Sequence, residues 1–349
     1  QLRHGRDFRR HHETSAAANA AVAGTSHVSQ LSEIQRLRVQ ISESIIGQSA
    51  LVDRLVVGLL ANGNLLVEGL PGLAKTRAVK ALAGNLEADL SRVQFTPDLL
   101  PADITGTEIY YATEGGGEFR YQPGPIFSNI VLADEVNRAP AKVQAALLEA
   151  MEERQVTVAG TTHSLPELFM VMATQNPIDH DGTYPLPEAQ LDRFMMHVEV
   201  GYPNEDDETR IIELVRHENT QRHTQAGPAP IAQSAIFAAR VEIDAVESSP
   251  AITRYLVDLV SATRHPERYS SDLAGWIDHG ASPRGGIHLD RAARVRAWLD
   301  GRSYTTPEDV RGIVHDVLRH RVSPSYEASA EGITPNQIVD ELLKLVAVP

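Results

Sequence analysis

The chain has 349 residues, a mass of 38.1 kDa and 42% hydrophobic residues, which suits roughly two domains of about 100 to 200 residues each. The formal net charge of -14 argues against broad attraction to nucleic acid or anionic lipid, so neither is expected as a partner. The lack of cysteine excludes disulfide bonds and thiolate sites, and no apolar run approaches the roughly 18 residues of a membrane span. We therefore expect a cytoplasmic protein without membrane insertion.

The N-terminal stretch, residues 1–30, has a basic cluster followed by Ala, Ser, Thr and Gly, without apolar residues at a helical or strand period. We expect a disordered arm there. From residue 31, five apolar residues near helical spacing predict a helix: Leu31, Ile34, Leu37, Val39 and Ile41.

Short apolar runs then alternate with helical patterns up to about Val200. In chain order they read LLVEG, TRAVKALAGNL, IVLADE, APAKVQAALLEAMEER and LFMVMATQN. This alternation predicts an α/β fold with a parallel sheet flanked by helices on both faces. After GYPNEDDE at 201–208 the patterns are wholly helical, which predicts a second, all-α domain.

The stretch GLPGLAKT at 69–76 follows the first apolar run and nearly matches the phosphate-loop pattern G-x-x-x-x-G-K-[ST]. In a strand-loop-helix setting, backbone N–H groups face the phosphates, Lys75 adds positive charge and Thr76 offers a hydroxyl to Mg²⁺. Ala74 stands where the second glycine is usual, and it is expected to be tolerated if it adopts right-handed helical angles. Taken alone, the stretch is also compatible with an ordinary turn before a helix.

Two further apolar runs end in polar residues suited to nucleotide chemistry. In IVLADEVNR, Asp134 can hold Mg²⁺ and Glu135 can polarise an attacking water. In FMVMATQNP, Asn176 is placed to orient that water or to contact a γ-phosphate. The Asn-Pro pair alone would equally indicate a turn that ends a strand.

Six strings, in this order and at these separations, resemble the MoxR family of AAA+ ATPases: GLPGLAKT, QFTPDLLPADITG, LADEVNRAPAKVQAALLEAMEER, VMATQNPI, YPLPEAQLDRF and GASPRGG. The resemblance covers roughly residues 31–349. It implies an AAA+ P-loop NTPase core over 31–202 and a small all-α lid over 203–349, with ATP and Mg²⁺ bound between them. In that family, alanine before the phosphate-loop lysine is ordinary.

The resemblance also implies roles for individual residues around the nucleotide. The phosphate loop would contribute Gly69, Pro71, Gly72, Leu73, Ala74, Lys75 and Thr76. Asp134 matches the carboxylate that binds Mg²⁺ beside Thr76, Glu135 matches the catalytic base, and Asn176 matches sensor 1. Ile46 and Gly47 match the segment that packs on adenine, although a helix C-cap explains Gly47 equally well.

Two arginines match residues that act at subunit interfaces or between domains. Arg193 in QLDRF matches the arginine finger that completes a neighbour's site, and an ion pair with Asp192 or Glu188 is its alternative explanation. Arg284 in SPRGG matches sensor 2, and the sequence leaves open whether it acts within its own subunit. Arg138 is a third candidate.

As a function, the resemblance implies Mg²⁺-dependent ATP hydrolysis coupled to chaperone-like remodelling or maturation of protein complexes. It also implies a partner with a von Willebrand factor A domain. Because Arg193 would act only across an interface, we expect a homo-oligomeric ring, with six subunits as the expected number. Two hairpins, at 110–127 and 154–167, resemble the helix-2 insert and the hairpin before sensor 1, and are expected to contact substrate or partner.

Other functions are less compatible with these residues. A DNA-associated AAA+ motor and a nucleotide switch without turnover remain alternatives, although the acidic charge argues against the first and Glu135 against the second. No lysine follows an asparagine, so the guanine-binding motif of a GTPase is missing. A small-molecule kinase would leave QLDRF and SPRGG unexplained. The string GASPRG misses the nucleophile-elbow pattern, so Ser282 is predicted to cap a helix.

Overall fold

The computed structural model describes residues 30–70, 72–113, 116–176, 183–220 and 229–349. The predicted disordered arm lies outside these residues, except for Gln30, which begins the first helix. Within the described ranges, no helix has both the length and the apolar character that crossing a bilayer requires.

The chain alternates strands and helices up to residue 200 and is mainly helical afterwards. The strands are β1 (Leu65–Gly69), β2 (Leu90–Gln94), β3 (Gly106–Thr113), β4 (Gly116–Pro123), β5 (Ile130–Asp134), β6 (Gln155–Val158), β7 (Thr161–Ser164), β8 (Met170–Gln175), β9 (Met196–Val200), β10 (Ile277–His279) and β11 (Ser323–Pro324). The helices are α1 (30–44), α2 (Ser49–Leu60), α3 (Lys75–Gly84), α4 (Pro101–Thr105), α5 (Ala141–Glu153), α6 (Glu188–Leu191), α7 (Glu205–Thr220), α8 (Gln233–Asp244), α9 (Pro250–Arg264), α10 (Ser271–Trp276), α11 (Pro283–Leu299), α12 (Pro307–Arg311), α13 (Val314–Leu318), α14 (Tyr326–Ala330) and α15 (Pro335–Leu345).

Five parallel strands form the central sheet, in the order β2-β5-β8-β1-β9. The three inner strands are the apolar runs expected from the sequence. Neither edge strand is predicted, because edge strands need no continuous apolar run. Only Val93 is buried in β2, and β9 alternates buried residues with more exposed ones.

Because the strands are parallel, the sheet has a carboxyl edge, at which all the strands end, and an amino edge, at which they all begin. At the carboxyl edge, β1, β5 and β8 end at Gly69, Asp134 and Gln175. At the amino edge, Asn64 precedes β1, and its carbonyl accepts the N–H of Met195, which precedes β9 (2.8 Å). A five-residue strand spans about 13 Å, so groups at the two edges cannot meet directly.

Helices cover both faces of the sheet, as predicted. One face packs against α1, α2 and α3, and the other against α4 and α5. In α1, Ile34, Leu37 and Ile41 are fully buried, which confirms the helical pattern. The prediction was wrong for Val39, which is 56% exposed, because a residue two positions from both Leu37 and Ile41 lies on the opposite side of a helix.

The C-terminal helices pack directly onto the sheet. Leu59 of α2, Met196 of β9 and Val317 of α13 are fully buried members of one hydrophobic core. Within this helical region, β10 and β11 add a short antiparallel pair that the sequence patterns do not show.

Two antiparallel ribbons lie outside the sheet, at the places where hairpins are predicted. In the β3–β4 ribbon, Tyr110 is paired with Phe119, and both side chains are more than half exposed. In the β6–β7 ribbon, Val156 is paired with His163.

The end of β1 lies so close to β9 that it has no room for a side chain. A Cβ atom on Gly69 would lie 2.7 Å from the carbonyl oxygen of Val200. We expect Gly69→Ala to lower the free energy of unfolding by about 1 to 3 kcal/mol, because the backbone of β9 would have to move. Urea denaturation measures this difference.

Gly84→Ala is the matched control. Gly84 ends α3, and a Cβ atom there would meet nothing within 4 Å. The control should be neutral or stabilising, since alanine favours helix by about 1 kcal/mol over glycine. Equal destabilisation by both substitutions would contradict the close approach of β9 to Gly69.

Candidate functional site

The phosphate loop connects β1 to α3 and is closed by its own lysine. Lys75 Nζ donates to the carbonyl oxygen of Gly69 at 2.6 Å. Burial lowers the pKa of Lys75, while Asp134, Glu135 and Glu68 raise it through their charges. Gly72 has φ +85°, a left-handed conformation that favours glycine. Pro71 lies outside the described residues.

The backbone of Ala74 differs from the prediction. Its φ of 59° and ψ of 11° are left-handed, so the expected right-handed helical angles are wrong. Ala74 precedes the first helical residue, Lys75, and lies in the turn through which the loop enters α3. Its Cβ makes this conformation costly by roughly 1 to 2 kcal/mol, a cost that glycine would avoid. Alanine is therefore accommodated here under strain.

Thr174 joins the two carboxylate residues at the end of β5. Its Oγ1 donates to Asp134 Oδ1 at 2.6 Å and accepts the backbone N–H of Glu135 at 2.9 Å. Glu135 has φ 57°, a left-handed conformation that is strained for a residue with a side chain. Thr174 is 1% exposed, so this contact fixes the strained backbone in the interior.

Both carboxylates also contact side chains that the sequence reasoning missed. Arg92 Nη2 lies 2.7 Å from Asp134 Oδ2, and Gln94 Nε2 donates to Glu135 Oε2 at 3.0 Å. Arg138 Nε lies 3.0 Å from the same Glu135 oxygen, within one subunit. The only signal for Gln94 was its place at the start of the quoted string QFTPDLLPADITG. The donor set fits Mg²⁺, which commonly takes one carboxylate with a hydroxyl, phosphate oxygens and waters.

The remaining predicted polar residue, Asn176, also lies at the carboxyl edge. It follows β8 directly and lines a cavity together with His197 and Arg319. Nearby, His197 Nε2 lies 3.0 Å from Glu68 Oε2. Hydrogen bonding with His197 is the main cause of the lowered pKa of Glu68. The structure thus brings Lys75, Asp134 and Asn176 to one edge of the sheet.

A mainly apolar pocket adjoins the phosphate loop. Ile46, Leu73 and Ala74 line it from one side, and Leu214 and Val215 of α7 line it from the other. Gly47 lies in the turn between α1 and α2. The pocket is suited to a flat, partly apolar group such as a purine base.

Arg193 and Arg284 lie at the opposite edge of the sheet. Arg193 Nε is 2.5 Å from Glu152 Oε2, and the Arg284 guanidinium pairs with the other oxygen of the same carboxylate. Both arginines line a cavity at the amino edge, the amino-edge cavity, together with Asn62 and Asn64, which precede β1. Neither arginine therefore reaches the phosphate loop of its own subunit.

The ion pairs of these arginines were not predicted. The alternative partners proposed for Arg193, Asp192 and Glu188, are wrong, because Glu152 of α5 takes that position. The only signal for Glu152 was its place in the quoted string LADEVNRAPAKVQAALLEAMEER, and it otherwise reads as one charge among several on an amphipathic helix. The predicted cap is confirmed: Ser282 Oγ accepts the N–H of Arg284 at the start of α11.

Comparison with known proteins identifies the family. Residues 64–196 match the model described as the ATPase family associated with various cellular activities, and residues 274–342 match the AAA lid domain. The chain is 42% identical over 340 residues to chaperone MoxR1 of Mycobacterium tuberculosis, covering 97% of this chain and 88% of that protein. The chain belongs to the MoxR family of AAA+ ATPases. The resemblance and the fold class expected from the sequence are confirmed.

Other relatives agree with this assignment. Protein MoxR of Paracoccus denitrificans is 34% identical over 323 residues, covering 87% of this chain and 93% of that protein. A crystal structure from Cytophaga hutchinsonii, provisionally described as an ATPase, is 41% identical with a TM-score of 0.87. The match covers 95% of this MoxR-family chain and 99% of the Cytophaga hutchinsonii chain.

The amino-edge cavity is lined by a partly buried histidine, His288, that should make stability depend on pH. Burial, followed by the charges of Arg321, Arg291 and Arg284, lowers the pKa of His288 to about 3. Between the unfolded value, about 6.5, and this folded value, the unfolded chain binds a proton that the folded chain does not. Stability should therefore fall as the pH falls through this window, by about 1.4 kcal/mol per pH unit from His288.

We expect His288→Asn to reduce this slope, because asparagine offers an acceptor in place of Nδ1 and does not titrate. Urea denaturation between about pH 7 and about pH 5 measures the slope. His279→Asn, at an exposed position, is the matched control and should leave the slope unchanged. An unchanged slope in His288→Asn would show that His288 does not contribute to the pH dependence.

Proposed function

We propose that this MoxR-family protein hydrolyses ATP with Mg²⁺ at the carboxyl edge of its sheet. The observation that carries the proposal is the convergence of Lys75, Asp134, Glu135 and Asn176 at that edge. Lys75 would bind the phosphates, and Asp134 with Thr76 would hold the metal ion. Bound Mg²⁺ would neutralise charge on the phosphate oxygens.

Within this proposal, Glu135 accepts a proton from the attacking water. Its strained backbone and its bonds from Gln94 and Arg138 fix the direction of its carboxylate, and a positioned base typically contributes about 10² to 10⁴ in rate. Asn176, an amide without charge, orients the same water or contacts the γ-phosphate. Backbone N–H groups of the phosphate loop, other than at Pro71, hold the phosphate chain.

The adenine base would occupy the apolar pocket beside the loop. Ile46 and Gly47 contribute from the segment between α1 and α2, and α7 closes the other side. Arg77 of α3 also lines this pocket and forms an ion pair with Glu218 of α7. We place the boundary between the ATPase domain and the lid near residue 202, close to the start of α7.

We propose that Arg193 and Arg284 both act on the nucleotide of a neighbouring subunit. The support is their shared position at the amino edge, about 13 Å or more from the carboxyl edge of their own sheet. A closed homo-oligomeric ring provides such a neighbour for every subunit, and six is the expected number. The cationic cavity around Glu152 would then face the neighbour's γ-phosphate.

The work coupled to hydrolysis is proposed to be chaperone-like remodelling or maturation of protein complexes in the cytoplasm. A relative's name, chaperone MoxR1, supports this class of function. A partner with a von Willebrand factor A domain is also proposed, because the chain belongs to the MoxR family. The exposed aromatic pair Tyr110 and Phe119 on the β3–β4 ribbon offers a surface for a protein partner.

Substitution of the proposed base gives the first test. We expect Glu135→Gln to bind ATP with nearly unchanged affinity and to lose about 10²-fold or more in turnover, because the amide cannot accept the proton. Lys75→Ala is the matched comparison and should lose nucleotide binding itself. Nucleotide titration and phosphate release measure the two properties. Equal turnover in wild type and Glu135→Gln would refute the assignment.

The same Glu135→Gln variant, held in its ATP state, serves to capture partners from a lysate of the source organism. Recovery of a protein with a von Willebrand factor A domain, dependent on ATP, would support the remodelling function. Lys75→Ala is the control that should recover none. Equal recovery by both variants would count against nucleotide-dependent remodelling.

Mixing of two inactive variants tests the shared site. Arg193→Ala should bind ATP and hydrolyse it poorly, since arginine fingers contribute about 10³ to 10⁵ in rate in other NTPases. Lys75→Ala subunits bind no ATP but still offer Arg193. Mixed assemblies should therefore recover turnover that neither variant has alone. No recovery, with mixed assembly verified by native mass measurement, would mean that Arg193 acts within its own subunit or serves only the fold.

A further inference from the structure

A second arginine, Arg321, holds the backbone segment that carries Arg193. Its side chain is 1% exposed, and it follows α13 in the lid. Arg321 Nε donates to Asp192 Oδ1 at 2.8 Å. Its Nη2 donates to the carbonyl oxygens of Asp192 and Phe194, at 2.9 and 2.6 Å. The residues on both sides of Arg193 are thus bound to one guanidinium.

The other carboxylate oxygen of Asp192 connects this contact to Arg284. Ser282 Oγ donates to Asp192 Oδ2 at 2.8 Å, and the same hydroxyl caps the helix in which Arg284 is the second residue. Asp192 therefore lies between the lid residue Arg321 and the lid helix α11. Arg193 and Arg284 are each within two residues of this bridge.

The arrangement requires arginine specifically. A guanidinium presents five N–H donors in a fixed plane, whereas the lysine ammonium has three donors on a flexible stem. Nη2 also lies 2.8 Å from His288 Nδ1, which can only share the two N–H groups that already meet the two carbonyl oxygens. Buried carbonyl and carboxylate groups left without a donor are destabilising, so the segment would shift to find other partners.

We propose that Arg321 is a positioning residue that fixes Arg193 and Arg284 as one unit with the lid, so that both reach the neighbour's nucleotide together. This inference rests on the proposed action of these two arginines across the interface. Arg321 itself is buried and touches no nucleotide in this arrangement. Its effect is on the geometry of the site that its subunit offers to the next one.

Arg321→Lys separates positioning from charge, because the positive charge stays while the planar set of donors is lost. In assembled protein, we expect turnover to fall about 10- to 100-fold, since a misplacement of about 1 Å in a catalytic group costs about 10² in rate. ATP affinity of the variant should stay within about twofold of wild type, because its own phosphate loop is unchanged.

Complementation tests whether the defect lies in Arg193 and Arg284, the arginines that each subunit supplies to its neighbour. Arg321→Lys subunits mixed with Lys75→Ala subunits should recover turnover, since the second variant has an intact lid and supplies well-placed arginines to ATP-loaded neighbours. A structural defect in the nucleotide site of Arg321→Lys would not be rescued in this way. Failure to recover turnover would overturn the positioning role.

Two controls complete the design. Arg302→Lys changes another lid arginine, which is bound to Asp309 at 2.6 Å, and it should keep turnover near the wild-type rate. If Arg321→Lys does not fold, Asp192→Asn replaces it, because Asp192 is 19% exposed and the amide retains one oxygen. It should show the same loss and the same recovery on mixing, and lack of either would overturn the role.

The mixture of Arg193→Ala with Lys75→Ala separates this inference from the proposed function. If that mixture stays inactive, the shared site itself is refuted. If it recovers while the Arg321→Lys mixture does not, the shared site stands and only the positioning role of Arg321 fails.

Discussion

Parallel hydrogen bonding in the five-stranded sheet is the constraint on which the rest of the site depends. Because all five strands run in the same direction, the ends of β1, β5 and β8 lie side by side at one edge. The phosphate loop, the Asp134-Glu135 pair and Asn176 each follow one of these strands directly. No long-range folding of loops is needed to bring them together, since the sheet itself does so.

The same constraint separates the two arginines from this site. Strand length keeps the amino and carboxyl edges apart, so Arg193 and Arg284 share a carboxylate, Glu152, that lies far from their own phosphate loop. The lid bridges the two edges: Arg321 contacts the Asp192 segment, and its neighbour His320 lies against His197, which contacts Glu68 beside the loop.

Strain and burial accumulate where chemistry is expected. Ala74 and Glu135 both have left-handed backbones that their side chains disfavour. The buried Thr174 hydroxyl holds the backbone of Glu135, and Lys75 closes the loop that contains Ala74. The surrounding core, with helices on both faces of the sheet, supplies the stability that such local conformations require.

The sequence by itself determined the parts of this protein that depend on local pattern. The three inner strands are continuous apolar runs, the phosphate loop is contiguous, and the cap at Ser282 involves neighbours in the chain, so the α/β fold and the carboxyl-edge residues could be predicted. Only the tertiary structure decided the edge strands, the left-handed angle of Ala74 and the partners of the arginines. The Arg284–Glu152 and Arg321–Asp192 contacts join residues 132 and 129 positions apart. Nothing in the local pattern of these four residues specifies which distant group each will meet, even where a string such as SPRGG marks the residue itself.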